Sequence, residues 1–517
     1  MFLRRRPVSW LLLGLASQLM VMGCKSGGAL ETIDVRHVPA ASGEPSIARV
    51  VDIGSGSVPQ GPLDRAGSEG HAVIGEMVVI RGRGFGKQPR ITIAGRAAEV
   101  LAHVRGGGVV VRVPWGIDPG DVEIEVSHPG GRTATTFPVV RMGLVLTDEG
   151  LIPFSVKADG AASLIGQKMP LTGGEKLSFS HDGSVAYVGG VVGGKVKLWI
   201  VDLTGPAPRV VSDQSLPGSR LVGVETAAQS VMGVVVTDSH LVYFDGSQML
   251  NPAFYAPHAL PRELVDKQVL AAAIGGQGRR VALLLNDLNQ VALIDASKPT
   301  TLAPAVLADV LPDARLQVVT DLRFSADGRS IWVVSSDTAR SISGGYQPAR
   351  MTMLRIGSSA TSLPVHKTWE LGDKFATGML ALARGEPIPP GTAIRDEPSS
   401  SAVYTVVHAS DLLKQGFQQL LKHSGAAQGK VIRSSLSQQS PETVVQGPYL
   451  LTSVDVVGQT EILLALGCRA KGASLSRVLL HGKAWRGDPP QALDLGPAPP
   501  KVLEQSPPWI GMVRAQP

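Results

Sequence analysis

Hydrophobic and polar positions along this chain follow two regimes, both strand-like. From Pro45 to about Arg141, short alternating runs rich in β-branched residues are separated by Gly and Pro. Examples are Met77-Val78-Val79-Ile80, Arg90-Ile91-Thr92-Ile93, Val109-Val110-Val111-Arg112-Val113 and Val122-Glu123-Ile124-Glu125-Val126. Alternation with period two and this spacing of turns predict a small β-sandwich. From Met142 onward a repeat takes over. Phe179-Ser180-His181-Asp182-Gly183-Ser184-Val185-Ala186-Tyr187-Val188 returns as Phe324-Ser325-Ala326-Asp327-Gly328-Arg329-Ser330-Ile331-Trp332-Val333, and degenerate copies lie at Val222 to Val235 and Ala271 to Leu284. The period is about 48 residues, the scale of propeller blades. Each copy is followed by a further strand, at Val196 to Asp202, Leu241 to Asp245, Val291 to Asp295 and Met351 to Ile356.

Beyond Ile356 the period loosens. Ala402 to Val407 and Glu461 to Leu466 read as inner strands, with a Pro-rich insertion at Gly385 to Ser401 and another around Leu412 to Ser424. In the second insertion Ser410 can cap a short helix, with Leu413, Phe417, Leu420 and Leu421 on one face. Six repeats are read directly. A seventh would be composite, closing Leu144 to Val156 against C-terminal strands such as Val478 to His481, which would remove the exposed edges of an open sheet. The expected fold class is therefore all-β, a sandwich followed by a propeller of six to eight blades.

Punctuation is more specific than the strands. Gly75 to Gly86 contains Gly82-Arg83-Gly84-Phe85-Gly86 and is followed by Ala94-Gly95-Arg96, Val113-Pro114, Gly120-Asp121 and His128-Pro129-Gly130-Gly131. In that order the segment resembles the IPT/TIG family of immunoglobulin-like domains, which implies a role in protein or glycan contact. Gly82, Gly84 and Gly86 approximate a phosphate loop, but no Lys-Ser/Thr pair follows. The Phe-Ser-x-Asp-Gly turn is similar to the blades of TolB-like and YVTN-like propellers. There Asp182-Gly183 and Asp327-Gly328 are read as hairpin turns, Gly for its positive φ and Asp for bonding to neighbouring amides.

The N-terminus changes the picture of charge and location. Arg4-Arg5-Arg6 precedes an apolar run from Val8 to Met22, too short to span a bilayer as a helix. Val21-Met22-Gly23-Cys24 then resembles a bacterial lipobox. That resemblance implies a signal peptide over 1–23 and lipidation of Cys24; the aperiodic, Gly/Ser-rich 24–44 reads as a tether, so the expected division continues with the IPT/TIG-like unit over 45–141 and the propeller over 142–517. Lys25 after the cysteine implies the outer membrane, on a face left open. The three signal arginines make up half of the formal net charge of +6, so the remainder is too small and scattered for a nucleic-acid partner.

Composition supports compact, turn-rich units, with 60 Gly and 37 Pro, and two cysteines exclude a disulfide scaffold. The eleven histidines are dispersed, with no His-x-His, His-Glu-x-x-His or Cys-x-x-Cys, so no sequence-local metal site, cofactor motif or catalytic residue is assigned. Cys468, at the end of a strand, reads as a buried free thiol. The leading reading is a non-enzymatic, lipid-anchored scaffold of a cell-envelope assembly for secretion, adhesion or surface motility, binding protein or glycan. The alternative is an exported carbohydrate-active or other propeller enzyme, a hydrolase or lyase with an accessory TIG domain.

Overall fold

The structure is a computed structural model. It describes residues 32–33, 43–54, 61–62 and 70–516 apart from internal segments, the longest being 310–316, 338–348, 383–401, 409–428, 484–489 and 499–511. Among the described residues the regular elements are strands, apart from one 3-10 turn at Arg262–Leu264. The short helix expected around Phe417 and the Pro-rich insertion lie outside the described residues, as do the lipobox residues and Cys24.

The N-terminal strands form two sheets around one core. One sheet runs Ser46–Gly54, Met77–Arg83, Gly108–Arg112, Val100–His103. In the other, Gly120–His128 lies between Arg90–Ile93 and Gly131–Thr147. The alternation read from the sequence sorts the side chains. Val78 and Ile80 enter a core with Ile91, Ile93, Val109, Val111, Ile124 and Val126, whereas Met77 and Val79 pack on the opposite face with Val104 and Val110.

The strand Gly131–Thr147 is 17 residues long and serves two sheets. Its first half pairs with Gly120–His128; its second half pairs with Gly150–Val156. Burial changes along it as this requires. Exposed and partly buried residues predominate from Gly131 to Thr136, and from Val139 to Thr147 every residue is buried. The backbone thus passes from a half-solvated sheet into one covered on both faces, with no linker between them.

Six consecutive antiparallel sheets follow, each with a second strand that is buried over most of its described length. Their first strands are Gly174–Phe179, Leu221–Thr226, Val269–Ile274, Gln317–Phe324, Phe375–Leu382 and Leu450–Val457. Each first strand touches the next in this order; Leu450–Val457 touches Met512–Ala515, and Met512–Ala515 touches Gly174–Phe179. The series closes on itself, which makes this part of the chain a β-propeller.

Three features differ from the sequence reading. The strand that closes the ring is Met512–Ala515, paired with Gly143 to Leu146, whereas Val478 to His481 belongs to Ser474–Lys483 in the sixth sheet. Met512–Ala515 has only four residues, too few to stand out by alternation. Val403–His408 and Ile462–Lys471, which contain most of the two segments read as inner strands, are second strands. The innermost positions belong to Phe375–Leu382 and Leu450–Val457. Finally, each sheet carries an outer fourth strand that the pattern did not indicate. Arg209–Leu216, for instance, is exposed or partly buried at every position but the last, so no hydrophobic face marks it.

Candidate functional site

Asp182-Gly183 and Gly328 sit at hairpins between first and second strands. Asp182 Oδ1 accepts from the Ser184 amide at 3.0 Å, the Ser184 hydroxyl at 2.8 Å and the Ser180 hydroxyl at 2.6 Å. Gly183 and Gly328 both have positive φ, 79° and 67°. Asp327 lies outside the described residues. These residues are spread around the ring and are not brought together. The chemistry-bearing residues that do converge lie elsewhere, on the first strands, and were not singled out from the sequence.

The ladder between first and second strands is interrupted by one extra residue at the same place in several sheets. The shift falls between Gly174 and Lys176, Leu221 and Gly223, Val269 and Ala271, Val319 and Asp321, and Leu451 and Ser453. Such a bulge re-aims the following side chain. Lys176, Gly223, Ala271, Asp321 and Ser453 are therefore structural equivalents; two residues on lie Ser178, Glu225, Ala273, Arg323 and Asp455.

These two tiers meet across the axis of the ring. Arg323 on the fourth sheet places Nη1 2.6 Å from Glu225 Oε1 on the second, bypassing the third sheet, whose equivalents are the small Ala271 and Ala273. Asp321 on the same strand as Arg323 is buried, and its Oδ1 accepts from the Leu322 amide at 2.9 Å. Asp455 Oδ2 accepts from the Ala515 amide at 2.9 Å, and Arg514 Nη1 lies 3.9 Å from Asp455 Oδ1. The Ser178 and Thr226 hydroxyls are 2.8 Å apart.

Burial and neighbouring charges together set the electrostatics of this cluster. Desolvation acts on Arg323 against its charge, but Glu225 and Asp321 outweigh it and the net shift is upward, so the guanidinium stays ionised. Lys176 behaves in the opposite way. Desolvation holds its ammonium below the usual lysine range, and Asp321 and Glu225 restore only part of it. Neighbouring Glu175 is raised by desolvation, opposed by Lys176 and Arg220. The signal for this site was present in the sequence as single charged residues set among apolar ones, as in Val454-Asp455-Val456 and Asp321-Leu322-Arg323. They differ from sheet to sheet and are absent from the third, so a repeat search passes over them.

Among the described residues no group of three or more His, Cys, Asp or Glu is placed to hold a metal ion. Cys468 is a buried free thiol pushed up to about 12 by desolvation, with Arg477 pulling it back in part.

No family model matches this chain. No curated protein matches it either. Solved structures similar to it include a protein from Lactobacillus plantarum, 10% identical over 72% of this chain and 99% of that one, with a TM-score of 0.46. The periplasmic gluconolactonase of Pseudomonas aeruginosa is 11% identical over 73% of this chain and 99% of its own, with a TM-score of 0.44. A β-propeller domain from Myceliophteria thermophila is 12% identical over 63% of this chain and 92% of its own, with a TM-score of 0.38.

Proposed function

We propose that this chain is a non-enzymatic binding scaffold of the bacterial cell envelope, anchored to the outer membrane through a lipid on Cys24 and presenting an IPT/TIG-type immunoglobulin-like unit fused to a seven-bladed propeller. The observation that carries this reading is the fusion itself. One strand, Gly131–Thr147, is shared by both units. The buried Gln516 side chain bonds Ile74 in one and Gly183 in the other. Two folds suited to binding held at a fixed angle favour a scaffold over a flexibly tethered accessory domain. The two-sheet core of the first unit supports the immunoglobulin-like assignment. The ring of first strands closed by Met512–Ala515 supports seven blades. Val21-Met22-Gly23-Cys24 supports the lipid.

The test has two parts. Palmitate should label the wild type and not Cys24→Ser, and a tagged full chain isolated from detergent-solubilised envelopes should recover the same protein or glycan partner repeatedly. Absence of label together with recovery of the chain alone would sink the proposal.

A second reading, an exported propeller hydrolase or lyase, is favoured by Lys176. A lysine held below its usual range among carboxylates is a recurrent arrangement for a general base. It requires turnover of an envelope glycan or ester that Lys176→Met abolishes.

A further inference from the structure

The outer face of the sheet formed by Ser46–Gly54, Met77–Arg83, Gly108–Arg112 and Val100–His103 is apolar and yet closed to solvent. Met77, Val79 and Val110 are 0% exposed and Val104 is 1% exposed. Every member of this cluster, with the partly buried Ile53, Leu101 and Ala102, comes from the sheet itself or from the turn joining Val100–His103 to Gly108–Arg112. Neighbours within one sheet shield only the flanks of a side chain, and the outer side of a sandwich sheet otherwise faces water. A cover from elsewhere in the chain is therefore required. At one end of the face Arg49 and Arg81 stand opposite each other in register, an arrangement that repels unless acidic groups lie across it. Desolvation, and then Arg49, lower the Arg81 guanidinium from its ordinary range, and its Nη1 donates to the Arg105 carbonyl at 3.3 Å. One ladder belongs to neither sheet of the sandwich. Thr32–Ile33 pairs antiparallel with Gly61–Pro62, Thr32 opposite Pro62 and Ile33 opposite Gly61. Gly61–Pro62 lies in the connection between Gly54 and Met77, two residues that are themselves paired in the sheet. Seven residues separate Gly54 from Gly61. Extended, they reach over ~20 Å, more than the ~14 Å width of a four-stranded sheet.

We propose that the ladder of Thr32–Ile33 with Gly61–Pro62 is seated on this outer face as a strap, and that the N-terminal segment 31–35 is the occupant that covers Met77, Val79 and Val110. The sequence of that segment suits the role. In an extended chain Glu31, Ile33 and Val35 share one side, which offers two apolar residues to the face and one carboxylate to its arginine end. The sandwich is complete without the strap, since its inner core is built from Ile47 and Val50 and from residues between Ala72 and Val139. Seating the strap shortens the leash to the membrane. Eight residues separate Cys24 from Thr32. As a coil they span about 15 Å, against about 25 Å for the whole of 24–44. That consequence rests on the lipid-anchor reading, and the seating of the strap does not.

Maleimide labelling of the full chain in detergent, with the label located by mass spectrometry, tests this. Val79→Cys places a thiol on the outer face and Val109→Cys places one in the inner core. Both should be protected in the otherwise native chain. Adding Ile33→Asp together with Val35→Asp should speed labelling of Val79→Cys by about tenfold or more and leave Val109→Cys protected. A Cys24→Ser chain should give the same rates, which separates failure of the strap from failure of the anchor. Labelling of Val79→Cys at the rate of an exposed thiol, no acceleration by the two aspartates, or equal acceleration at Val109→Cys would each overturn the proposal. Loss of protection in Cys24→Ser alone would also overturn it, because the lipid and not the strap would then cover the face.

Discussion

The side-chain amide of Gln516 donates to the carbonyl of Gly183 at 3.0 Å, joining the closing strand to the hairpin turn of the first four-stranded sheet across 333 positions of chain. The same nitrogen reaches the Ile74 carbonyl at 3.3 Å, and the side-chain oxygen accepts from the Met142 amide at 2.9 Å. One buried amide therefore ties the N-terminal unit, the shared strand and the propeller together, and Arg141 adds longer bonds to the Gln516 and Ile117 carbonyls.

Gln516→Ala should leave those groups buried without their partner and lower stability by about 2–4 kcal/mol. Gln516→Glu should be worse at neutral pH, because a carboxylate oxygen would face two carbonyls, and should recover as the carboxyl is protonated. Chemical denaturation at pH 7 and pH 5 reads both, and an unchanged Gln516→Ala would refute the weld.

The Arg323–Glu225 bridge is partly reachable by solvent, with side-chain exposures of 15% and 20%. Glu225→Ala should destabilise by about 2 kcal/mol by removing the nearest counter-charge of the guanidinium, less than for a fully buried pair. Replacing both residues by Met should recover most of that loss. A double-mutant cycle on urea unfolding measures it; additive losses would mean that the bridge contributes nothing.

Gly183 and Gly328 occupy equivalent turns with positive φ. Alanine at either position should cost about 1–2 kcal/mol through backbone strain alone. Matching losses in thermal unfolding would support the equivalence of the two repeats, and a neutral effect at either position would contradict it.

His481 is buried, and desolvation lowers it from its ordinary value of 6.5, with the Gly160 carbonyl and Asp159 opposing the shift. The unfolded chain therefore takes up this proton before the folded one does. Stability from this residue is complete above pH 6.5 and declines as the pH falls below that value. Unfolding free energies between pH 8 and pH 5 should show the decline, and His481→Gln should flatten it. An identical slope in the variant would exclude His481 as the cause.

Much of this architecture was legible because it is encoded locally. The alternation in Met77 to Ile80, the Asp-Gly pairs and the spacing of about 48 residues are each visible within a short window, and each follows from strand pleating or turn chemistry. The outer strands escaped notice because their side chains face water on most sides, as in Arg209–Leu216, and nothing constrains their pattern. The closing strand Met512–Ala515 escaped because four residues are too few to carry a period.

The sequence by itself thus determined an all-β chain of repeated hairpins preceded by a region of alternating strands. Tertiary structure decided which strand closes the ring, that Gly131–Thr147 belongs to two sheets, and that Glu225 meets Arg323. The physical reason is closure. Once the first strands form a ring, residues from non-adjacent sheets such as Glu225 and Arg323 are brought together. Which charges are paired there depends on where each bulge points its side chain, a property of the assembled ring that no single repeat contains.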